Sequence, residues 1–273
     1  MNKFDTDNIF DEYTSQTAFL KNVSQFYRHN LNNNDNVLNY ISGINQWPKQ
    51  RGISDVILKQ FQIGYAGVSE QLVEFVSMNN MNEALLYSTG IFTKDGEDTY
   101  DSFYNRVMFP LQDVSGGIVG FSGRIWKEGD VRPKFINSPS TAAFSKSFLL
   151  YGLNFAIDAM RELGFAWVVE GIPDVVACVQ AGVYNVVAPC GTYITKYHLQ
   201  LLKSIINKLS FCFDNDAAGM KALSHAQTLC KELNIENTSV TLVGAKDPDE
   251  LLHKGGKGEA VVRTFFQDPF HGA

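Results

Sequence analysis

The second half of the chain constrains the fold most. From residue 166 onward, short apolar runs alternate with helical patterns. Trp167-Val168-Val169 precedes Val175, Val176 and Val179; Asn185-Val186-Val187-Ala188 precedes Leu199, Leu202, Ile205 and Ile206. Phe211-Cys212-Phe213 precedes Ala222, Leu223, Ala226, Leu229, Cys230 and Leu233, and Val240-Thr241-Leu242-Val243 precedes Leu251 and Leu252. A strand apolar at every position is buried on both faces, which a parallel sheet covered by helices on each side provides. The expected class is α/β.

Upstream the texture differs. Phe19, Leu20, Val23, Phe26 and Tyr27 recur at three- and four-residue steps and fall on one helix face. Asn32-Asn33-Asn34-Asp35 marks a break, and a second helix is expected from Ser69 to Tyr87 with Leu72, Phe75, Val76 and Leu85 inward. Val107-Met108-Phe109 and Ile118-Val119-Gly120-Phe121, separated by Asp113-Val114-Ser115-Gly116-Gly117, read as a hairpin. With 273 residues, one large or two ordinary domains of about 150 residues are expected. The boundary is set near Leu163-Gly164: an α+β N-terminal subdomain over 1–163, the α/β domain over 164–260, and a tail over 261–273.

A formal charge of −6 excludes the strongly basic profile of a non-specific nucleic-acid binder, though not a local basic groove. No apolar stretch approaches the roughly 20 residues a membrane helix needs, and the polar N-terminus lacks a signal-peptide core. No membrane partner and a cytoplasmic location are the expectations. Cys178, Cys190, Cys212 and Cys230 form no C-x-x-C pair and sit in apolar stretches, so buried thiols are expected rather than a zinc site. His29, His198, His225, His253 and His271 are scattered and read as surface or helix-face residues away from the strand-end acids. Gly255-Gly256-Lys257-Gly258 lacks Walker A spacing and reads as a surface turn.

In an open parallel sheet, ligands bind beyond the carboxyl ends of the strands. There this chain places Glu170-Gly171 with Asp174, then Asp214-Asn215-Asp216, then Asp247-Pro248-Asp249. Strand residues two apart point the same way at about 6.6 Å, so Asp214 and Asp216 can face one crevice. Two like charges at 4 Å cost about 4 kcal/mol at an effective dielectric near 20, so such a group needs cations or raised pKa values. Hard divalent ions, Mg²⁺ or Mn²⁺, suit oxygen ligands best, and such ions are used to move phosphoryl groups. Taken singly, Asp174 and Asp216 read equally well as helix N-caps and Asp249 as a first-turn acid. Capping alone does not account for all three strand ends together.

Val169-Glu170-Gly171 through Asp174, Phe213-Asp214-Asn215-Asp216 with Ala218-Gly219, and Asp247-Pro248-Asp249 resemble the TOPRIM domain, a doubly wound, mostly parallel sheet. Upstream, Ile63-Gly64-Tyr65-Ala66, Asn105-Arg106-Val107-Met108-Phe109-Pro110, Gly120-Phe121-Ser122-Gly123-Arg124, Pro133-Lys134-Phe135-Ile136-Asn137-Ser138-Pro139, Phe144-Ser145-Lys146 and Leu150-Tyr151-Gly152-Leu153 resemble, in order, the catalytic core of bacterial (DnaG-type) DNA primases. The similarity spans roughly residues 50–260.

The resemblance implies an RNA polymerase that makes primers on single-stranded DNA from ribonucleoside triphosphates, with a replicative helicase as a further partner. It implies that Asp214, Asp216, Asp247 and Asp249 hold metal, that Glu170 is a ligand or proton acceptor, and that Asp174 belongs to the same cluster. Arg106, Arg124, Lys134, Asn137 and Lys146 match the family's nucleotide- and template-binding positions. The chain departs from the family at Ile172-Pro173, where an aromatic and a Met are usual, at Asn215, usually Gly, and at Met220, where a basic residue is common. None of these removes a carboxylate. The family's zinc-binding module and helicase-binding domain have no counterpart, so the chain reads as an excised core or a minimal form, for example phage-encoded, in the host cytoplasm. The rival readings are a TOPRIM nuclease and a catalytically weak module that binds single-stranded DNA or a helicase.

Overall fold

The computed structural model describes residues 3–43, 52–95, 98–191, 193–253 and 258–270. The segment Gly255–Lys257 and His271 lie outside them. The chain forms two compact units: the described residues of 1–51 and 58–145, and those of 52–57 and 146–273.

In the first unit α1 (Lys3–Asn32) is followed by α2 (Asp35–Ser42), whose N-cap Asn34 accepts the Val37 amide at 3.2 Å. The Asn-rich break therefore lies where the composition placed it. α3 (Asp55–Gln60), β1 (Gly64–Tyr65), α4 (Ser69–Met78) and α5 (Ala84–Ser88) follow. The single helix expected over Ser69–Tyr87 is two, because Asn80 takes a left-handed conformation (φ 50°) and ends α4. After the small hairpin β2 (Phe92–Asp95) and β3 (Asp98–Asp101), strands β4 (Arg106–Gln112), β5 (Ile118–Ile125) and β6 (Phe135–Asn137) join β1 in an antiparallel sheet of order β1-β4-β5-β6. The β4–β5 turn is tied by the Asp113 carboxylate, which accepts the Ser115 and Gly117 amides at 2.9 Å. One sheet face packs Met108 and Phe121 against Phe19, Leu20, Val23 and Tyr27 of α1, burying the stripe the periodicity marked.

The second unit opens with β7 (Leu150–Tyr151) and α6 (Leu153–Leu163). Then β8 (Ala166–Val169), α7 (Ile172–Gln180), β9 (Val186–Pro189), α8 (Lys196–Lys203), β10 (Lys208–Cys212), α9 (Ala217–Leu233), β11 (Glu236–Ser239), α10 (Pro248–His253) and α11 (Gly258–Phe265) alternate as expected. The sheet order is β11-β10-β8-β9-β7, parallel except for β7. One face is packed by Ala156 and Met160 of α6, Leu199 and Leu202 of α8, and Ala226 and Cys230 of α9. On the other, Trp167 meets Phe266 with ring centroids 4.7 Å apart.

The compact units divide at 145/146, eighteen residues before Leu163-Gly164, because β7 completes the second sheet and α6 packs into its core. Three expectations are corrected here. Residues beyond 260 are not a tail: Val262 and Phe266 of the α11 region are buried. The last strand is Glu236–Ser239, not Val240–Val243. It is an edge strand paired only with β10, so an all-apolar run does not mark it. His198 is fully buried and the His253 side chain nearly so. All four cysteines are buried, as expected. Among the described residues no helix is long and apolar enough to cross a membrane.

Candidate active site

Parallel pairing aligns Cys212 of β10 with Val169 of β8, so the chain leaves both strands at one level. Glu170 and Asp214 are consequently neighbours: the Asp214 amide donates to Glu170 Oε1 at 2.8 Å. Asp216 then starts α9, its Oδ1 accepting the Ala218 and Gly219 amides at 3.0 Å each. Close packing fixes the next residue type. A Cβ on Gly219 would lie 2.1 Å from the Asp214 carbonyl oxygen and 2.7 Å from Glu170 Oε1, so only glycine lets the helix start this near the two acids.

Asp174, in the first turn of α7, accepts the Gly171 amide on Oδ2 (3.0 Å) and the Asp249 amide on Oδ1 (3.3 Å). Asp247 accepts the Glu250 amide at 2.7 Å. Capping and clustering thus coexist: each carboxylate that ties a backbone turn also faces another carboxylate. Burial, with the charges of Asp247, Asp249 and Asp214, pushes the Asp174 carboxyl well above its usual range. Burial likewise raises Glu170, with Asp214 and Asp216 adding to it, and raises Asp247, with Asp249 and Asp214 adding. Asp216 moves the other way, lowered by the Gly219 amide and then by Lys246.

Lys246 is the residue the sequence reading missed. Its Nζ lies 2.8 Å from Asp214 Oδ2 and 3.3 Å from Asp216 Oδ2. A lysine directly before Asp-Pro-Asp was the available signal, since a D-x-D pair needs a counter-charge. His253 also joins the cluster: Nδ1 lies 2.6 Å from the Asp249 carbonyl oxygen, contrary to the expectation that no histidine sits with the acids. Beside Glu170 opens a pocket of about 430 Å³, walled by Pro189, Tyr193, Ile194, Phe213 and Ala218.

Among the described residues no group of three or more His, Cys, Asp or Glu side chains is arranged to hold a metal ion. The donor chemistry nevertheless fits a hard divalent ion. The donors are carboxylate oxygens alone, and one cationic centre, the Lys246 ammonium, is already shared between Asp214 and Asp216.

The expected nucleic-acid residues divide differently. Lys146 belongs to the second unit and is half-buried, its carbonyl oxygen 3.1 Å from His198 Nε2. In the first unit, the β4–β5 register pairs Arg106 with Ile125 and Val107 with Arg124, which puts the two arginines on opposite sheet faces. Arg106 turns into the core and is 2% exposed; its Nη1 donates to the carbonyl oxygens of Gly123 (3.2 Å) and Pro133 (2.8 Å). A Cβ on Gly123 would strike the Phe103 ring at 2.7 Å and the Arg106 stem at 3.0 Å. Part of the Gly123-Arg124 motif is therefore room for Arg106, and both arginines are buried, Arg106 at 2% and Arg124 at 6% exposure. Arg124 lies over the Phe135 ring and its Nε donates to Tyr40 Oη at 3.1 Å. Asn137, paired with Ser122, shares the Arg124 face, and Lys134 is exposed.

Comparison with known proteins agrees with this layout. Residues 26–157 match the family described as DNA primase catalytic core, N-terminal domain, and residues 167–252 match a Toprim-like family. The DNA primase of Legionella pneumophila is 38% identical over 257 residues, covering 92% of this chain and 43% of that protein. That of Aquifex aeolicus is 35% identical, covering 94% and 50%. The chain thus spans about half the length of the curated relatives it matches. Among solved structures, the zinc-binding and RNA polymerase domains of the Aquifex aeolicus primase superpose with a TM-score of 0.81 at 34% identity, over 92% of this chain and 60% of that one. A DNA primase domain from Pseudomonas aeruginosa superposes at 0.77 with 31% identity, over 91% and 78%. The order of motifs, the two-unit fold and these matches make the chain a member of the family of DnaG-type DNA primase catalytic cores.

Proposed function

We propose that this chain is the polymerising core of a DNA primase. It joins ribonucleoside triphosphates into a short RNA primer on a single-stranded DNA template, in the cytoplasm. The observation that carries the reading is Glu170, after β8, held by the amide of Asp214, after β10, with Asp216 capping α9 beside them and Asp174 tied to the Asp249 amide, in a chain of this family. A related primase catalytic domain, 31% identical, has been solved bound to single-stranded DNA, which supports the template assignment. A replicative helicase as a partner rests on the family alone.

In this reading the growing 3′-hydroxyl attacks the α-phosphate of the incoming triphosphate, the P–O bond to the β-phosphate breaks, and pyrophosphate leaves. Asp214 and Asp216, with Asp247 and Asp249 behind them, would hold Mg²⁺ or Mn²⁺. Such ions supply Lewis-acid stabilisation of the charge that develops on the phosphoryl oxygens. Glu170 is held in place by the Asp214 amide, and its raised pKa suits it to accept the hydroxyl proton on a carboxylate oxygen. Asp174 is a positioning residue, because its oxygens are directed at the Gly171 and Asp249 amides. Arg124, Lys134 and Lys146 would neutralise phosphates of template and nucleotide, with Asn137 as a polar contact.

The test is incubation with a single-stranded template, Mn²⁺ or Mg²⁺ and labelled ribonucleotides, beside Asp214→Ala. Oligoribonucleotides made by the wild type and absent from the variant support the reading. A shortened template would replace it with a nuclease, and template binding without synthesis under either metal would replace it with a binding module.

A further inference from the structure

The main chain of Lys246 is fixed over the Asp214-Asn215-Asp216 turn. Its amide donates to Glu250 Oε2 at 2.9 Å and its carbonyl oxygen lies 3.5 Å from the Asn215 amide nitrogen. The side chain is different: it is 52% exposed and reaches both aspartates through its ammonium alone. A lysine stem has four freely rotating carbons, so this ammonium can leave for water while the backbone stays in place.

We infer that Lys246 is a tethered counter-cation that competes with the divalent metal ion for the Asp214–Asp216 pair. The inference rests on the reading of these acids as a metal site. Three observations carry it. The two oxygens the ammonium contacts belong to the same D-x-D pair that would bind the ion. A monovalent and a divalent cation drawn to the same oxygens repel each other, so occupancy by one weakens binding of the other. Glu170 lies against the same pair, its Oε1 accepting the Asp214 amide at 2.8 Å, so a third carboxylate adds to the negative charge that the Lys246 ammonium offsets. With the ammonium in place, the aspartates stay assembled without metal. A metal ion binds by displacing it, and its apparent affinity is lower by the strength of the contacts displaced.

Mn²⁺ binding, followed by loss of the free-ion electron paramagnetic resonance signal, tests this without reference to activity. The wild type is compared with Lys246→Met, Lys246→Arg, Asp214→Asn and Lys221→Met, the last removing an exposed α9 lysine and so the same net charge. Two surface-strength ion pairs set the expected gain for Lys246→Met at roughly 2- to 30-fold tighter binding. Lys246→Arg is expected to bind no tighter than wild type, and Lys221→Met to stay within about 2-fold of it. Binding by Lys246→Met equal to or weaker than wild type overturns the inference, as does equal tightening by Lys221→Met. If Asp214→Asn binds Mn²⁺ as the wild type does, the metal site itself is refuted, a result distinct from either.

Discussion

Gly219→Ala probes the packing on which the acid cluster depends. The added Cβ would stand 2.1 Å from the Asp214 carbonyl oxygen, 2.9 Å from its carbonyl carbon and 2.7 Å from Glu170 Oε1. Two of these neighbours are backbone, so the start of α9 must move by roughly 1 Å to restore ordinary contact. Alanine favours a helix over glycine by about 1 kcal/mol, while overpacking costs about 1–3 kcal/mol. The net expectation is destabilisation of about 0–2 kcal/mol, read from urea denaturation followed by far-ultraviolet circular dichroism. Activity falls further. A 1 Å misplacement of reacting groups costs about 100-fold, and here it separates Glu170, Asp214 and Asp216 directly. A variant stabilised by about 1 kcal/mol that synthesises primers at the wild-type rate would refute the close-packing account.

Arg106→Met keeps the stem and leaves the Gly123 and Pro133 carbonyls without their donor, so stability is expected to fall by about 2–4 kcal/mol in denaturant titrations. The salt dependence of template binding by the folded fraction should not change; a lower slope would place Arg106 at the nucleic-acid interface. Exposed Lys134→Ala should do the opposite, leaving stability within about 0.5 kcal/mol and lowering the log–log salt slope by about 1. Burial lowers His198 from 6.5 to about 4, so its neutral form stabilises the fold above pH 6.5 and about 3 kcal/mol is lost as pH falls toward 4. Burial raises Asp101 from 3.8 to about 6, so the stability its neutral form contributes below pH 3.8 is lost as pH rises to 6, with the opposite sign and a similar size. Urea titrations of the second unit in His198→Gln should lose the rising limb between pH 4 and 6.5, and those of the first unit in Asp101→Asn the falling one. Unchanged profiles would contradict both assignments.

Much of the architecture was legible because it depends on local pattern. The apolar runs at 167–169, 186–188 and 211–212 mark strands buried on both faces, and D-x-D after a strand marks a place where acids accumulate. Features that depend on pairing were not legible. β11 is polar because it lies at a sheet edge, and α11 packs against α7 and α10, with Phe266 just beyond it meeting Trp167. The side of the sheet that Arg106 faces depends on the register against Ile125, which composition does not encode. His198 in the first turn of α8 looks like any polar helix residue. Its burial follows from Lys146 and Thr195, whose backbone groups its two ring nitrogens meet. Lys246 was read past because a single lysine is ordinarily solvated; its role emerges only once Asp214 and Asp216 are placed opposite it.

The most direct measurement is diffraction from crystals soaked in Mn²⁺, recorded at the manganese absorption edge. The account predicts an anomalous peak within about 2.0–2.2 Å of carboxylate oxygens of both Asp214 and Asp216, with the Lys246 ammonium turned away, and no peak in Asp214→Asn. A chain that makes primers while manganese binds elsewhere, or while Lys246 still bridges the two aspartates, would contradict it.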